Sequence, residues 1–178
     1  IQLYHTQLEG AEPGIGAITV VDNGRGIPVD IHPKMGVSAL QVVMTTLHAG
    51  GKFEETAYQA SGGLHGVGAS VVNALSTNLT AQVKKDGKIY EMKFKIGKPQ
   101  SQIKVVGKVD PKDPIQHGTE ITFYPDGTIF ETTKFKFKTV LEHLLSQAYL
   151  TKGLHFVITD EEDNLTYQYY FEGGILSY

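Results

Sequence analysis

The chain contains no cysteine, which excludes a disulfide framework and a thiolate metal site and suits a reducing compartment. It contains no run of the roughly 18 or more apolar residues that a membrane span needs. Its first residues lack the basic-then-apolar pattern of a secretory signal, so a cytoplasmic location is expected. A basic excess is also missing. Sixteen Lys and Arg stand against 19 Asp and Glu, a net charge of -3, without the overall footprint of a domain that itself grips nucleic acid. Any dealing with nucleic acid is therefore expected to be indirect. Internal repeats and low-complexity segments are absent. The seven histidines show no paired metal-ligand spacing, so no metal site is expected in the chain.

What is present is an ordinary globular composition, 40% hydrophobic and 20% charged over 178 residues. That is enough for one well-buried core and too little for two, so residues 1–178 are read as a single domain. Ile1 to Leu8 alternates loosely like a strand, and Ala17 to Val21 is a short apolar run that ends abruptly at Asp22, the pattern of a buried strand. From Val37, the residues Leu40, Val43, Met44 and Leu47 recur at helical spacing as far as Ala49-Gly50-Gly51. Gly50 to Gly68 is a long glycine-rich loop, of the kind that is usually functional or disordered. A helix is expected over Ala69 to Leu75. Strands are then expected at Leu79 to Val83, Lys88 to Ile96, Ile103 to Val106 and Thr119 to Tyr124, the first two joined by an Asp86-Gly87 hairpin turn. Phe137, Val140, Leu141, Leu144, Leu145 and Ala148 mark an amphipathic helix with Thr132 or Thr133 as its expected N-cap. Leu154 to Thr159 and Thr166 to Phe171 should close the domain as a hairpin. This order predicts an α+β two-layer sandwich, a mostly antiparallel sheet with helices on one face.

Three glycine-containing clusters carry the candidate chemistry: Asp22-Asn23-Gly24-Arg25-Gly26-Ile27-Pro28, Gly50-Gly51-Lys52, and Ser61-Gly62-Gly63-Leu64-His65-Gly66-Val67-Gly68. The third opens a helix, so its backbone N–H groups and the helix's positive end can converge on an anion such as a phosphate; the same glycines also suit a tight turn. The Walker pattern fails, because Phe53 follows Lys52 and Thr46 stands where the first glycine is needed. The Rossmann fingerprint fails because the glycine spacing runs in the opposite order. Asp22, at the end of a buried strand, implies either a ligand or partner for its carboxylate or an Asx turn before Asn23-Gly24.

Taken together, Asp22-x-Gly24-x-Gly26, a helix, a glycine-rich lid and Gly63-x-x-Gly66-x-Gly68 resemble the GHKL ATPases. Within that group, Leu47 to Phe53 and Ser61 to Gly68, continuing through Val72-Asn73-Ala74-Leu75-Ser76, are similar to the B subunits of the bacterial type IIA DNA topoisomerases, gyrase and topoisomerase IV. Asp126 to Phe137 suits either branch, and the two are left undivided. Another GHKL ATPase, such as a chaperone or mismatch-repair protein, and a non-catalytic ligand-binding fragment are the competing readings.

The resemblance implies ATP as the ligand. Asp22 would accept the adenine amino group and share a water with Gly118-Thr119; Gly26, Ile27, Val43 and Met44 would surround the base, although Val43 and Met44 equally fit the core-facing stripe of their helix. Tyr58 would hydrogen-bond the ring. Lys52 would neutralise phosphate charge, and Leu64, His65, Gly66, Val67 and Gly68 would wrap the phosphates. Arg25 and Pro28 would wall the mouth of the pocket, where inhibitors of the family stack. In this family a preceding helix supplies the glutamate that activates water and the asparagine that binds Mg2+. Neither is identifiable here, so no catalytic residue is assigned, the domain is read as lacking its N-terminal part, and negligible hydrolysis and a monomeric state are expected of the chain alone. The intact parent would use ATP and Mg2+, engage DNA through other domains and assemble with an A subunit.

Overall fold

The computed structural model describes residues 1–6, 16–47 and 67–177. Among these residues nine strands form a single sheet: β1 (Gln2–Thr6), β2 (Ala17–Val21), β3 (Ser76–Lys85), β4 (Lys88–Lys95), β5 (Lys98–Pro99), β6 (Lys104–Lys108), β7 (Gly118–Pro125), β8 (Phe156–Asp160) and β9 (Leu165–Tyr169). The strand order is β5-β4-β3-β7-β2-β1-β8-β9, with β6 also paired to β4. Every pairing is antiparallel except β1 with β8, where Leu3 lies opposite Ile158. The architecture is thus the α+β sandwich expected, with the closing hairpin β8–β9 joined in parallel to the first strand.

Alternation decides the two faces. Leu79, Ala81 and Val83 of β3 are opposite Phe94, Met92 and Tyr90 of β4 and opposite Phe123, Ile121 and Thr119 of β7, so these side chains share one face. Helices α1 (Ala39–Thr45), α2 (Gly68–Ala74) and α3 (Phe137–Leu150) cover that face. Leu40 and Met44 of α1 join Leu79, Ala81, Val83, Met92 and Phe94 in one cluster, with Ile27, Ala69 and Val72 packed against it. Beneath α3 a second cluster gathers Leu3, Ile18, Ala148, Phe156 and Ile158. Phe123 packs against both. The opposite face is polar, as in the hydrogen bond between the Thr19 and Thr122 hydroxyls at 2.8 Å.

Local chemistry explains most boundaries. Ser38 caps α1, its hydroxyl accepting from Gln41 N at 3.2 Å. The expected cap of α3 is corrected: the N-cap position is Lys136, with no side-chain bond. Thr132 instead accepts from Lys134 N at 3.3 Å, a local turn that spends the hydroxyl four residues too early. Strand β5 had no sequence counterpart. It follows a turn in which Ile96 and Gly97 both adopt positive φ, 47° and 74°, and a β-branched residue is a rare occupant of that region.

Candidate functional site

The site forms where β2 ends and β7 begins. Asp22 follows the last residue of β2, and its N–H donates to the Thr119 carbonyl at 2.9 Å, extending the ladder by one bond. Its carboxylate Oδ1 accepts from Gly24 N at 2.8 Å and from Thr119 N at 3.3 Å. The first is the Asx turn and the second a tie to the neighbouring strand, so both readings of Asp22 hold at once. The carboxylate is half-buried, and among the described residues Oδ2 accepts no hydrogen bond. An acceptor held in place through its twin oxygen, with its own lone pairs open, is suited to an N–H donor on a ligand.

The loop after Asp22 is held down by contacts only glycine permits. Gly26 has φ 75°, and a Cβ there would lie 2.9 Å from Val83 Cγ1 and 3.2 Å from the Gly118 carbonyl. Gly118 has φ 143°, and a Cβ there would overlap the Asp22 carbonyl oxygen. Thr119, 6% exposed, accepts from Ile27 N through Oγ1 at 3.2 Å. His117 donates from Nδ1 to the Gly24 carbonyl at 2.6 Å. Backbone and side chains of 117–119 therefore grip 22–27 at four points, and Ile27 is directed to the core cluster that also holds Met44 and Ala69.

Of the expected residues, Asp22, Gly26, Ile27 and Thr119 are thus brought together. Arg25 is exposed and Pro28 half-buried on the same loop. Val43 is half-buried on α1, whereas Met44 is fully buried in the core. Val67 immediately precedes α2, which Gly68 opens. A Cβ on Gly68 would meet nothing within 4 Å, so no described neighbour demands glycine there. Lys52, Tyr58, Leu64, His65 and Gly66 lie outside the described residues. His117 had no signal in the sequence. A cavity of about 210 Å³ lies elsewhere, between α2 and the segment Phe130 to Phe135 above Phe123, and contains none of the expected site residues. Among the described residues no three His, Asp or Glu side chains are grouped to hold a metal, and no helix is long and apolar enough to cross a membrane.

A half-buried carboxylate at a strand end, pinned to a glycine turn and to the Gly-Thr opening of a distant strand beneath two short helices, defines a class. Residues 4–129, more than half of the chain, match the family described as histidine kinase-, DNA gyrase B-, and HSP90-like ATPase; the chain belongs to that family. Within it, the chain is 52% identical over 164 residues to the DNA gyrase B subunit of Halalkalibacterium halodurans, covering 91% of this chain and 25% of that protein. It is 45% identical over 161 residues to the DNA topoisomerase 4 B subunit of Streptococcus pneumoniae, covering 90% of this chain and 24% of that protein. The 43K ATPase domain of Thermus thermophilus gyrase B, solved with an aminocoumarin, superposes with a TM-score of 0.75 at 33% identity over 99% of this chain and 42% of that one. The chain spans about a quarter of the length of the curated relatives it matches.

Proposed function

We propose that the chain is the nucleotide-binding core of a B subunit of a type II DNA topoisomerase, in which ATP binding and hydrolysis drive closure of a dimer gate and passage of a DNA segment. The observation that carries the ligand assignment is the Asp22 carboxylate, anchored through Oδ1 at 2.8 Å and 3.3 Å and, among the described residues, open at Oδ2. An adenine amino group would donate to Oδ2, with Ile27 and Val43 against the ring. A site built to accept a buried donor rejects bases that lack one, because its acceptor is then left unpaired.

At the phosphate end, Val67 and Gly68 would offer backbone N–H groups at the start of α2, joined by Leu64, His65 and Gly66, with Lys52 as counter-charge and Tyr58 on the ring. Arg25 and Pro28 would wall the mouth. ATP supplies the transferable phosphoryl group. Mg2+ and the activation of water belong, in this proposal, to the parent protein, as does contact with the A subunit, all in the cytoplasm. Family likeness favours this reading over a chaperone or mismatch-repair ATPase.

Calorimetric titration of the chain with ATP and with an aminocoumarin checks the pocket. Both should bind, and Asp22→Asn should weaken both about 10- to 100-fold, corresponding to the ~1.5–3 kcal/mol of a hydrogen bond to a charged group. Unchanged affinity in Asp22→Asn would remove Asp22 from the site. No residue of the matched motifs is assigned to activate water, so hydrolysis by the 178-residue chain should be negligible; sustained turnover would overturn that reading.

A further inference from the structure

The overall charge of -3 conceals a strong asymmetry. Nine of the 16 basic residues but only three of the 19 acidic ones lie between Lys84 and Lys112, so that stretch carries +6 and the remainder of the chain -9. It forms the outer strands β4, β5 and β6 at one end of the sheet. Register places four of its lysines on the helix-free face. Lys93 lies opposite Thr80, Lys95 opposite Lys98, and Lys104 opposite Glu91, on the face away from Met92 and Phe94. All four are exposed.

The local carboxylates do not neutralise them. Glu91, itself buried, accepts from Gln82 Nε2 at 2.9 Å and lies 3.7 Å from Lys93 Nζ and 3.8 Å from Lys104 Nζ, one anion between two cations. Asp113 is taken by Lys84 at 2.7 Å, whose ammonium holds that carboxyl below its ordinary value. Among the described residues Lys95 and Lys98 have no acidic partner. Like charges directly opposite one another across a ladder are destabilising. Lys88 opposite Lys108 is a second like-charge pair, on the other face of β4 by alternation. The Lys95–Lys98 pair costs the fold stability and is relieved when an anion bridges it.

From this geometry we infer that the helix-free face of β4–β6 is a docking surface for duplex DNA, contacting its phosphate backbone through Lys93, Lys95, Lys98 and Lys104. The four lysines occupy the register from Glu91, opposite Lys104, to Lys95, opposite Lys98, about 14 Å at ~3.4 Å per residue, matching about four phosphates of one strand at ~3.4 Å each. Among the described residues no aromatic side chain stands among the four lysines, because Tyr90 and Phe94 of the same strand face the core. Base stacking of single strands is thereby disfavoured, and contact is through phosphates without sequence preference. The expectation that this chain meets nucleic acid only indirectly is revised on this edge. The choice of DNA among polyanions rests on the topoisomerase reading; the charge pattern does not.

The full 178-residue chain is titrated into a fluorescent duplex of about 30 base pairs, long enough to span the strip several times over, at several salt concentrations, with calorimetry of ATP and aminocoumarin in parallel. Binding should be independent of sequence and weaken steeply with salt. The quadruple variant Lys93→Gln, Lys95→Gln, Lys98→Gln, Lys104→Gln should bind at least ~10-fold more weakly at low salt, with its log–log salt slope reduced by about 3 to 4. Its thermal unfolding should be retained or shifted slightly upward by relief of the Lys95–Lys98 repulsion, and its nucleotide affinity should be retained. Lys138→Gln with Lys152→Gln, remote exposed lysines, should leave DNA affinity unchanged. Equal losses in both variants, no duplex binding by the parent chain, or binding to phosphatidylserine vesicles in preference to duplex would each overturn the surface. Loss of nucleotide binding with intact DNA binding would count against the proposed function and leave the surface standing.

Discussion

Gly118 shows how narrowly the strand junction is built. Its φ of 143° and the overlap of any Cβ with the Asp22 carbonyl oxygen mean that alanine must push β2 and β7 apart where Asp22 N meets Thr119 O. Gly118→Ala is expected to cost about 1–3 kcal/mol, the range for a residue held in a sparsely populated backbone region, and to weaken ATP with it. Gly68→Ala, with no described neighbour within 4 Å of its Cβ, should change thermal stability by less than about 0.5 kcal/mol. Comparable melting temperatures for the two variants would refute the distinction. Asp22 was legible in the sequence because a carboxylate directly after a buried apolar run must be explained. Thr119 was legible only through family resemblance. His117, whose partner Gly24 is 93 residues away, carried no local signal, since a single histidine before Gly118 has no periodicity or spacing to mark it.

At the scale of elements, α1, α2 and the β4–β5 turn are tied by one side chain. Asn73 is fully buried, and its Nδ2 donates to the Met44 carbonyl at 2.9 Å and to the Gly97 carbonyl at 3.4 Å. Its Oδ1 is buried without a partner among the described residues, so the amide's net value comes from its donors. Asn73→Ala would leave the Met44 carbonyl, near the end of α1, short of a donor. The expected cost is about 1–3 kcal/mol from that desolvated group, read as a lower urea midpoint with an unchanged m-value. A smaller effect than that of Thr77→Ala, whose hydroxyl makes one weak bond of 3.3 Å to the Tyr124 carbonyl, would show that Asn73 does not hold these elements. Strands and helices with strong periodicity were readable within a few residues: β2 and the start of α3 coincide with their expected ends. The α3 cap and β5 were not, because each depends on a turn conformation that its residues do not advertise.

For the whole molecule, the question is whether the nucleotide end and the α3 end behave as one unit. Phe123 packs against both core clusters and meets Phe135 edge to face at 6.1 Å. The backbone provides a second link: β7 pairs with β3 from Ser76 to Lys84 and with β2 from Ile18 to Val21, so the ladder runs unbroken from one cluster to the other. Phe123 is only partly buried, and Phe123→Ala should cost about 2–3 kcal/mol, less than the ~3–5 kcal/mol of a fully buried phenylalanine. At roughly 2–4 °C per kcal/mol for a chain of this size, the melting temperature should fall by about 4–12 °C. Because the ladder survives the substitution, the far-UV and near-UV transitions should remain coincident. A biphasic melt would place the coupling in the Phe123 ring instead of the sheet. If the ladder dominates, a ligand on Asp22 stabilises β2 directly and, through β1, the strand β8 beneath α3. Hydrogen exchange at Phe156–Ile158 should then slow on ATP binding even though no residue there touches the nucleotide.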